Sequence, residues 1–493
     1  MLVIKQVVAV ALFFVQVSET ISKNVVIILA DDLGREISVY NDPVCKTPNI
    51  EKLSERSVTF ENAFTSVSSC SPSRSSLLTG LPTHTNGMFG LHNSEHHFNS
   101  FEAVRSLPTI LKKHGIKTGI IGKKHVGPSS VYNFDFEETE ENNSIMQVGR
   151  NITRIKLLVR KFLREAKNNF LLYVAFHDPH RCGHEKPEYG NFCEKFGTGE
   201  PGMGLIPDWK PTHYDPNQIK VPYYIPNTNE AKADLANYFT TISRLDQGKY
   251  WIDNGPSFPN GRTNAYDPGV REPFFISNPK EPQMWGKRED SYVSLLDVVP
   301  TVLEWFQIQY PNYKLFNKPV KLTGKSLLPL ISSNKEKQDT EYVYYSHNLH
   351  EATMYYPMRS VRDKRYKLIH NLNYWAPFPI DQDFYLSPTF KGILNRTKNH
   401  EPLFWSKNLT TYYRRSEWEL FDLLNDPAEL TNIYTESSTA PISNKMKHIM
   451  FNWQNSTNDP WMCSPHFVLE EIRSEQLSAL SQKTVVKLLQ LSQ

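Results

Sequence analysis

Long apolar runs, polybasic tracts, internal repeats and low-complexity segments are all missing from this chain, and cysteine is scarce. A membrane-spanning helix needs about 20 apolar residues; the longest stretch here, Val7–Val17, is interrupted at Gln16. Basic and acidic residues nearly balance, 55 against 52, for a net charge of +3. That balance leaves no global field to draw in nucleic acid. Neither nucleic acid nor a membrane is therefore expected as a partner. Five cysteines in 493 residues exclude a disulfide scaffold, and the odd number leaves one that needs its own explanation. What remains is a chain long enough for two domains and a large buried core. Its 33 prolines suit long ordered loops around a site.

The N-terminus has the pattern of a secretory signal over residues 1–20: Lys5, the apolar Val7–Val17, then polar Ser18-Glu19-Thr20. The competing reading, a first buried strand, is weaker because a better strand follows at once, Asn24 to Ala30. A mature protein inside the secretory system, without a membrane helix, is the expectation. Five glycosylation sequons agree with that address, at Asn142, Asn151, Asn395, Asn408 and Asn455, each of them weak alone.

Lys23–Ala30 is a continuous apolar run, the pattern of a strand buried on both faces. It ends at Asp31-Asp32, two carboxylates where open α/β sheets place their sites. Ile50–Phe60 has helical spacing, and a helix is expected to begin near Ser73. Thr118–Gly122 reads as a strand delivering Lys123, Lys124 and His125; Ile152–Leu163 reads as a basic amphipathic helix. Phe170–Phe176 reads as another buried strand, ending in His177-Asp178-Pro179-His180. Strands alternating with helices predict α/β with a mostly parallel sheet over 21–340. Beyond, Met358–His370 predicts an antiparallel strand pair, Trp418–Leu423 a strand, and Asn425-Asp426-Pro427 a turn before a helix. Residues 341–493 thus read as a smaller α+β domain.

Two short segments carry hard oxygen donors, Asp31-Asp32 and Asp253-Asn254. Singly each pair reads as a turn or cap. Together they suit calcium or magnesium; zinc would ask for His or Cys. Cys70 lies in Cys70-Ser71-Pro72-Ser73-Arg74, followed by Leu77-Leu78-Thr79-Gly80. An ordinary nucleophilic cysteine wants a base or helix N-terminus to form thiolate, whereas this C-x-P-S-R string is a signature of another kind.

The string resembles that of the sulfatase family of the alkaline-phosphatase superfamily, and within it the sulfamidase branch. VSSCSPSRSSLLTGLPTHTNGM, GIIGKKHVGP, VGRNITRIKLLVRKFL, YVAFHDPHRCGH, FPNGRTNAYDPG, SYVSLLDVVPTVLEWF and PMRSVRDKRYKLIHNLNYWAPFPIDQDFY carry the likeness over nearly the whole mature chain. It implies an alkaline-phosphatase-like sandwich with a large, mostly parallel central sheet and a C-terminal domain with an antiparallel sheet. It implies that Cys70 is oxidised by a formylglycine-generating enzyme to formylglycine, whose hydrated diol attacks sulfur and later expels sulfate. Calcium would be held by Asp31, Asp32, Asp253, Asn254 and modified Cys70. Arg74 and Lys123 would hold the charged diol, His125 would take its proton, and His180 would protonate the departing nitrogen. Arg262, with His180, would bind the sugar, Arg262 through an anionic group. The implied substrate is N-sulfoglucosamine at the end of heparan sulfate or heparin fragments; a homodimer and a lysosomal address follow from the same resemblance. With Cys70 modified, four cysteines remain. Cys182 and Cys193 enclose a short loop and suit a disulfide, while the pairing of Cys45 and Cys463 stays open.

The chain departs from the family at two places. Leu33 precedes Gly34 where Gly-Gly commonly follows the aspartates. Only Gly248–Ile252 separates the expected Ala231–Gln247 helix from Asp253, too short for the crossover and strand a parallel sheet needs. The expected result is a gap in the sheet with Asp253 and Asn254 displaced; the alternative is a stub strand at Tyr250–Ile252. Competing functions are an O-sulfatase of the same family, a phosphoryl-transfer enzyme on the same scaffold, and a weakly active or inactive glycan-binding relative.

Overall fold

The computed structural model describes residues 23–93, 96–182, 190–248, 254–333 and 340–462. The expected signal segment, Asp253 and Cys463 lie outside the described residues. The first strands in chain order are β1 (Asn24–Asp31), β2 (Val58–Phe64), β3 (Lys117–Gly122), β4 (Phe136–Thr139) and β5 (Phe170–Pro179). β1, β5, β3 and β4 lie side by side, in that order, as a parallel sheet. Ala175 of β5 aligns with Leu29 on one side and Gly122 on the other. The carboxyl ends of these three strands are therefore level, and the residues that follow them open onto one edge.

Next come β6 (Arg271–Ile276) and β7 (Arg288–Ser294), which flank β2, antiparallel and parallel respectively. The helical spacing read over Ile50–Phe60 is corrected here. The helix spans Pro48–Ser54, and Val58, Thr59 and Phe60 open β2. Pairing on both sides of these β-branched and aromatic residues overrides the local period.

Among the described residues the strands do not join into one continuous sheet; the expected stub strand at Tyr250–Ile252 lies outside them. Among the described residues β1 pairs only with β5, and β6-β2-β7 is separate. The helix Asn229–Gly248 ends where Asn254 is the next described residue. Val26 on β1 keeps 47% exposure, on a strand with a partner on one side only among the described residues.

A small hairpin, β8 (Lys314–Leu315) and β9 (Lys318–Pro319), precedes the C-terminal sheet. That sheet is antiparallel throughout: β10 (Val343–His347), β11 (Met358–Arg362), β12 (Tyr366–Asn371) and β13 (Trp418–Asp422), in sequential order. The helix Ala440–Ser456 covers it with Met446 and Met450 packed on Val361, Leu368 and Leu420. The helix expected after Asn425-Asp426-Pro427 does not start there: a 3-10 turn at Ser437–Thr439 leads into the α-helix Ala440–Ser456. Asp426 accepts hydrogen bonds from the Leu430 and Thr431 amides, both 2.8 Å, a local side-chain bond that competes with helix.

The lobes share a core. Phe64, Tyr266 and Tyr292 pack with Tyr345, Met358 and Phe421. At another point of contact, buried His84 places Nε2 2.8 Å from Thr457 Oγ1 and sets its ring edge-on to Trp453. The structure pairs Cys182 with Cys193, Cα to Cα 5.8 Å, and buries Cys45. Asn142, Asn395, Asn408 and Asn455 are exposed and Asn151 is half-buried.

Candidate active site

Three strand ends and one helix N-terminus converge. β1 delivers Asp31 and Asp32, both fully buried. Asp32 has φ 58°, a left-handed turn that Asp tolerates and that ends the strand. β3 ends at Gly122, φ 98°, where a Cβ would lie 2.0 Å from the Ala175 carbonyl oxygen. Only glycine fits there, and the turn delivers Lys123. Its amide donates to Ala175 O at 2.8 Å, while its ammonium binds Asp31.

Cys70 opens the helix Cys70–Thr79, three residues earlier than expected. Pro72 is tolerated because amides of the first turn have no helical acceptor. The hydroxyl of Ser69, the residue before the helix, is hydrogen-bonded to His350 Nδ1 at 2.8 Å. Cys70 is 1% exposed, with Sγ 4.0 Å from Asp32 Oδ1. One turn on, buried Arg74 reaches back, donating to the Lys123 carbonyl at 2.5 Å and lying 3.3 Å from Asp31.

These charges set each other. Burial alone would raise the Asp31 carboxyl, but Lys123 and then Arg74 outweigh it and hold it well below its usual range. Burial lifts Asp32 to about 7 against the pull of Arg262. Burial, then Asp31, pushes the Cys70 thiol well above its ordinary value, so the unmodified side chain is a neutral thiol and a poor nucleophile. His125 lies close enough that, after burial, Lys123 and Arg74 keep its imidazole neutral; its Nδ1 is buried without a hydrogen-bond partner.

His180 follows β5. Its Nδ1 is 2.8 Å from the Arg181 carbonyl and donates to it, which leaves Nε2 to accept from Arg262 at 2.9 Å. Beneath it, buried Asp178 binds Arg150 and takes two 2.7 Å bonds from Arg244. Arg150 then donates to the His180 carbonyl at 2.7 Å. His177 Nδ1 meets Glu140 at 2.8 Å, a carboxylate that burial lifts to about 7.

Arg262 is 3% exposed and reaches three carboxylates: Asp32 at 2.6 Å, Asp381 at 2.5 Å and Asp383 at 2.6 Å. It was expected to face an anionic group of the sugar; in this structure both terminal nitrogens lie on carboxylates of the cluster. Asn254 was expected to be displaced by the short segment. Instead its Nδ2 donates to Asp32 Oδ1 at 2.7 Å, so Asn254 stays against the Asp31-Asp32 strand end.

The residues fit a hard cation. Asp31, Asp32 and Asn254 supply oxygen donors, and the buried Asn254 Oδ1 has no hydrogen-bond partner. Two further groupings bring ligand atoms within 4.8 Å of one another: Asp31 with His177 and His180, and Asp32 with Cys70 and His180. Sequence reasoning thus assembled Asp31, Asp32, Cys70, Arg74, Lys123, His180, Asn254 and Arg262. It missed Glu140, Arg150, Asp178, His350, Asp381 and Asp383. Arg150, Asp178, Asp381 and Asp383 lie within the strings that carry the resemblance but were given no role there, and Asp381 and Asp383 reach the site from the C-terminal domain.

Residues 23–248 match the family model described as Sulfatase, and 261–384 that described as N-sulphoglucosamine sulphohydrolase, C-terminal. The chain is 53% identical over 479 residues to the N-sulphoglucosamine sulphohydrolase of Homo sapiens, covering 93% of this chain and 95% of that protein. It belongs to the sulfatase family. This sulfatase is also 26% identical over 446 residues to an ulvan-active sulfatase of Formosa agariphila, 88% of this chain and 80% of the relative. The fold recurs in a protein solved in complex with its substrate D-glucosamine-2-N,6-O-disulfate, with a TM-score of 0.60 at 16% identity, covering 89% of this chain and 99% of that one. The parallel sheet with its antiparallel C-terminal domain is therefore the alkaline-phosphatase-like sulfatase fold, and the protein is a hydrolase of that family.

Proposed function

We propose that this sulfatase removes N-linked sulfate from terminal N-sulfoglucosamine of heparan sulfate or heparin fragments, in lysosomal glycosaminoglycan breakdown. The observation that carries the reading is Cys70 at a buried helix start, with Arg74 and Lys123 meeting at Asp31 beside it. The likeness to the human N-sulphoglucosamine sulphohydrolase supplies the substrate class. Secretion, occupancy of the sequons, maturation by a formylglycine-generating enzyme and a homodimeric state belong to the same proposal.

Asp31, Asp32, Asn254 and Asp253 would hold calcium, and formylglycine at Cys70 would supply a hydrated aldehyde as nucleophile. The chain's own residues supply the rest. Lys123 and Arg74 bring two cations to the place where the sulfo group's negative charge must rest. His125, neutral and with a free ring nitrogen, is suited to accept a proton. His180 carries its lone pair on Nε2, and Asp383 3.4 Å away favours a proton there. An anionic sulfo group between Lys123 and His180 offsets the cation that helps hold this imidazole neutral. His180 is then placed to protonate the departing nitrogen, since an unprotonated amine leaves poorly. Asp178 and Arg150 fix the backbone from which it reaches.

The short segment between Gly248 and Asp253, with β1 paired on one side only among the described residues, favours a second reading, reduced turnover in this 493-residue form. The test is a panel of N-sulfo, O-sulfo and phosphate substrates on purified protein. Turnover of N-sulfoglucosamine above the others supports the proposal; preference for an O-sulfo or phosphate ester refutes it.

A further inference from the structure

The carboxylates around Arg262 outnumber it. Asp32, Asp381 and Asp383 all lie on one guanidinium, at 2.6, 2.5 and 2.6 Å. Were a cation to take Asp32, two carboxylates would still face one guanidinium, leaving one negative charge in excess. Asp381 is committed to the fold: it accepts from the Phe384 amide at 3.1 Å and from Ser257 Oγ at 3.3 Å, and its side chain is 4% exposed. Asp383 is the carboxylate that opens outward, with a side chain 18% exposed. Its contacts to Arg262 and His180 both fall on Oδ2. Asp383 is also linked to the helix start through His180. Asp32 lies 4.0 Å from Cys70 Sγ and 3.7 Å from His180 Nε2, and Asp383 lies 3.4 Å from that same nitrogen. By contact the order from Cys70 is Asp32, His180, Asp383.

We propose that Asp383 is a specificity-determining residue that binds the C2 amine of the sugar in its ammonium form, and so favours an N-linked over an O-linked sulfo group. The inference rests on the reaction proposed above. Hydrolysis of an N-sulfo group gives the oxygen of water to sulfur and its hydrogen to nitrogen. The freed amine then takes a further proton and becomes a cation. An O-sulfo group instead leaves a neutral hydroxyl. A carboxylate beyond His180 gains a charge-assisted hydrogen bond only with the first product. Lys123 and Arg74 suit the sulfate half, and Asp383 suits the half that changes from anion to cation.

The test is ligand-observed NMR titration of the full-length protein with glucosamine, N-acetylglucosamine and glucose. Wild type is expected to bind glucosamine roughly tenfold more tightly than the two uncharged sugars, the scale of one charge-assisted bond over a neutral one. Asp383→Asn should bring glucosamine down to their level without weakening them. Asp383→Glu keeps the charge and should restore the preference; it also guards against loss of fold in the amide variant. Equal weakening of all three sugars in Asp383→Asn would mean that Asp383 only supports Arg262, and would overturn the inference. So would a wild type with no preference, or one whose preference survives the substitution. Turnover of N-sulfoglucosamine is read separately, so a protein that prefers the ammonium sugar but fails on the substrate panel refutes the proposed reaction alone.

Discussion

His84 gives the molecule an acid limit that can be worked out from its surroundings. It is 3% exposed, bonded through Nε2 to Thr457 and edge-on to Trp453, where the helix Ala440–Ser456 meets the N-terminal lobe. Burial lowers its pKa to about 4; Asp459 pulls the other way and Arg359 reinforces the drop. In the unfolded chain a histidine titrates near 6.5. Between the two values the unfolded state binds the extra proton and the folded state does not, so stability rises with pH across this window. The contribution is complete above pH 6.5 and falls away as the pH drops toward 4. At pH 5 the loss relative to pH 8 is about 2 kcal/mol, and with full protonation it is about 3 kcal/mol. Glutamine at this position keeps a nitrogen donor near Thr457 but does not titrate. His84→Gln is therefore expected to be less stable than wild type at pH 8, by about 1 kcal/mol for lost packing. By pH 5 the difference should close or reverse. Urea melts of both proteins at pH 5, 6, 7 and 8 measure it, and the comparison cancels every titration the two share. A stability difference that stays constant from pH 8 to pH 5 would refute the reasoning.

Asp178→Asn removes one charge from between two buried guanidiniums, which typically costs about 3–5 kcal/mol. Calorimetry should show the lower melting temperature, and kcat should fall more than KM rises as the His180 backbone loosens; an unchanged melting temperature counts against it. Mass spectrometry of the Cys70 peptide from active protein should show sulfur lost and an aldehyde gained, and Cys70→Ser should fold yet turn over poorly. Free thiol alone in active enzyme would end that mechanism. Inserting a crossover loop and an apolar strand between Gly248 and Asp253 should give β1 a second neighbour and raise both calcium affinity and N-sulfo turnover; equal values with and without the insert would show that the short segment is harmless.

The parallel sheet was legible because β1 and β5 carry unbroken apolar runs, Val25–Ala30 and Phe170–Phe176, each closing on polar residues at its carboxyl end. The site could be read as far as local strings carried it: the Asp31-Asp32 strand end, the C-x-P-S-R helix start, Lys123 after a glycine. Asn254 was expected to be displaced, yet it bonds Asp32, a tertiary contact that does not depend on the strand before it. β2 was misread because three strands share its residues' packing, which no local window contains. Asp381 and Asp383 were invisible for a related reason. They are short polar residues at a helix start, locally ordinary, and only the docking of the C-terminal domain turns them toward Arg262.

The burial of Cys70 has a consequence for timing. With 1% of its surface exposed, its sulfur is out of reach of any protein-sized catalyst once the helix has docked. The formylglycine conversion proposed above would therefore have to happen while the chain is still open, on a segment that has been made but not yet packed. Synthesis and folding would then run as a race. A chain that closed before it was modified would keep a neutral thiol beside Asp32, and no later encounter could rescue it without unfolding it first. Two populations of identical sequence and identical fold would then coexist, one competent and one permanently silent, with their ratio written during folding and preserved for the life of the protein.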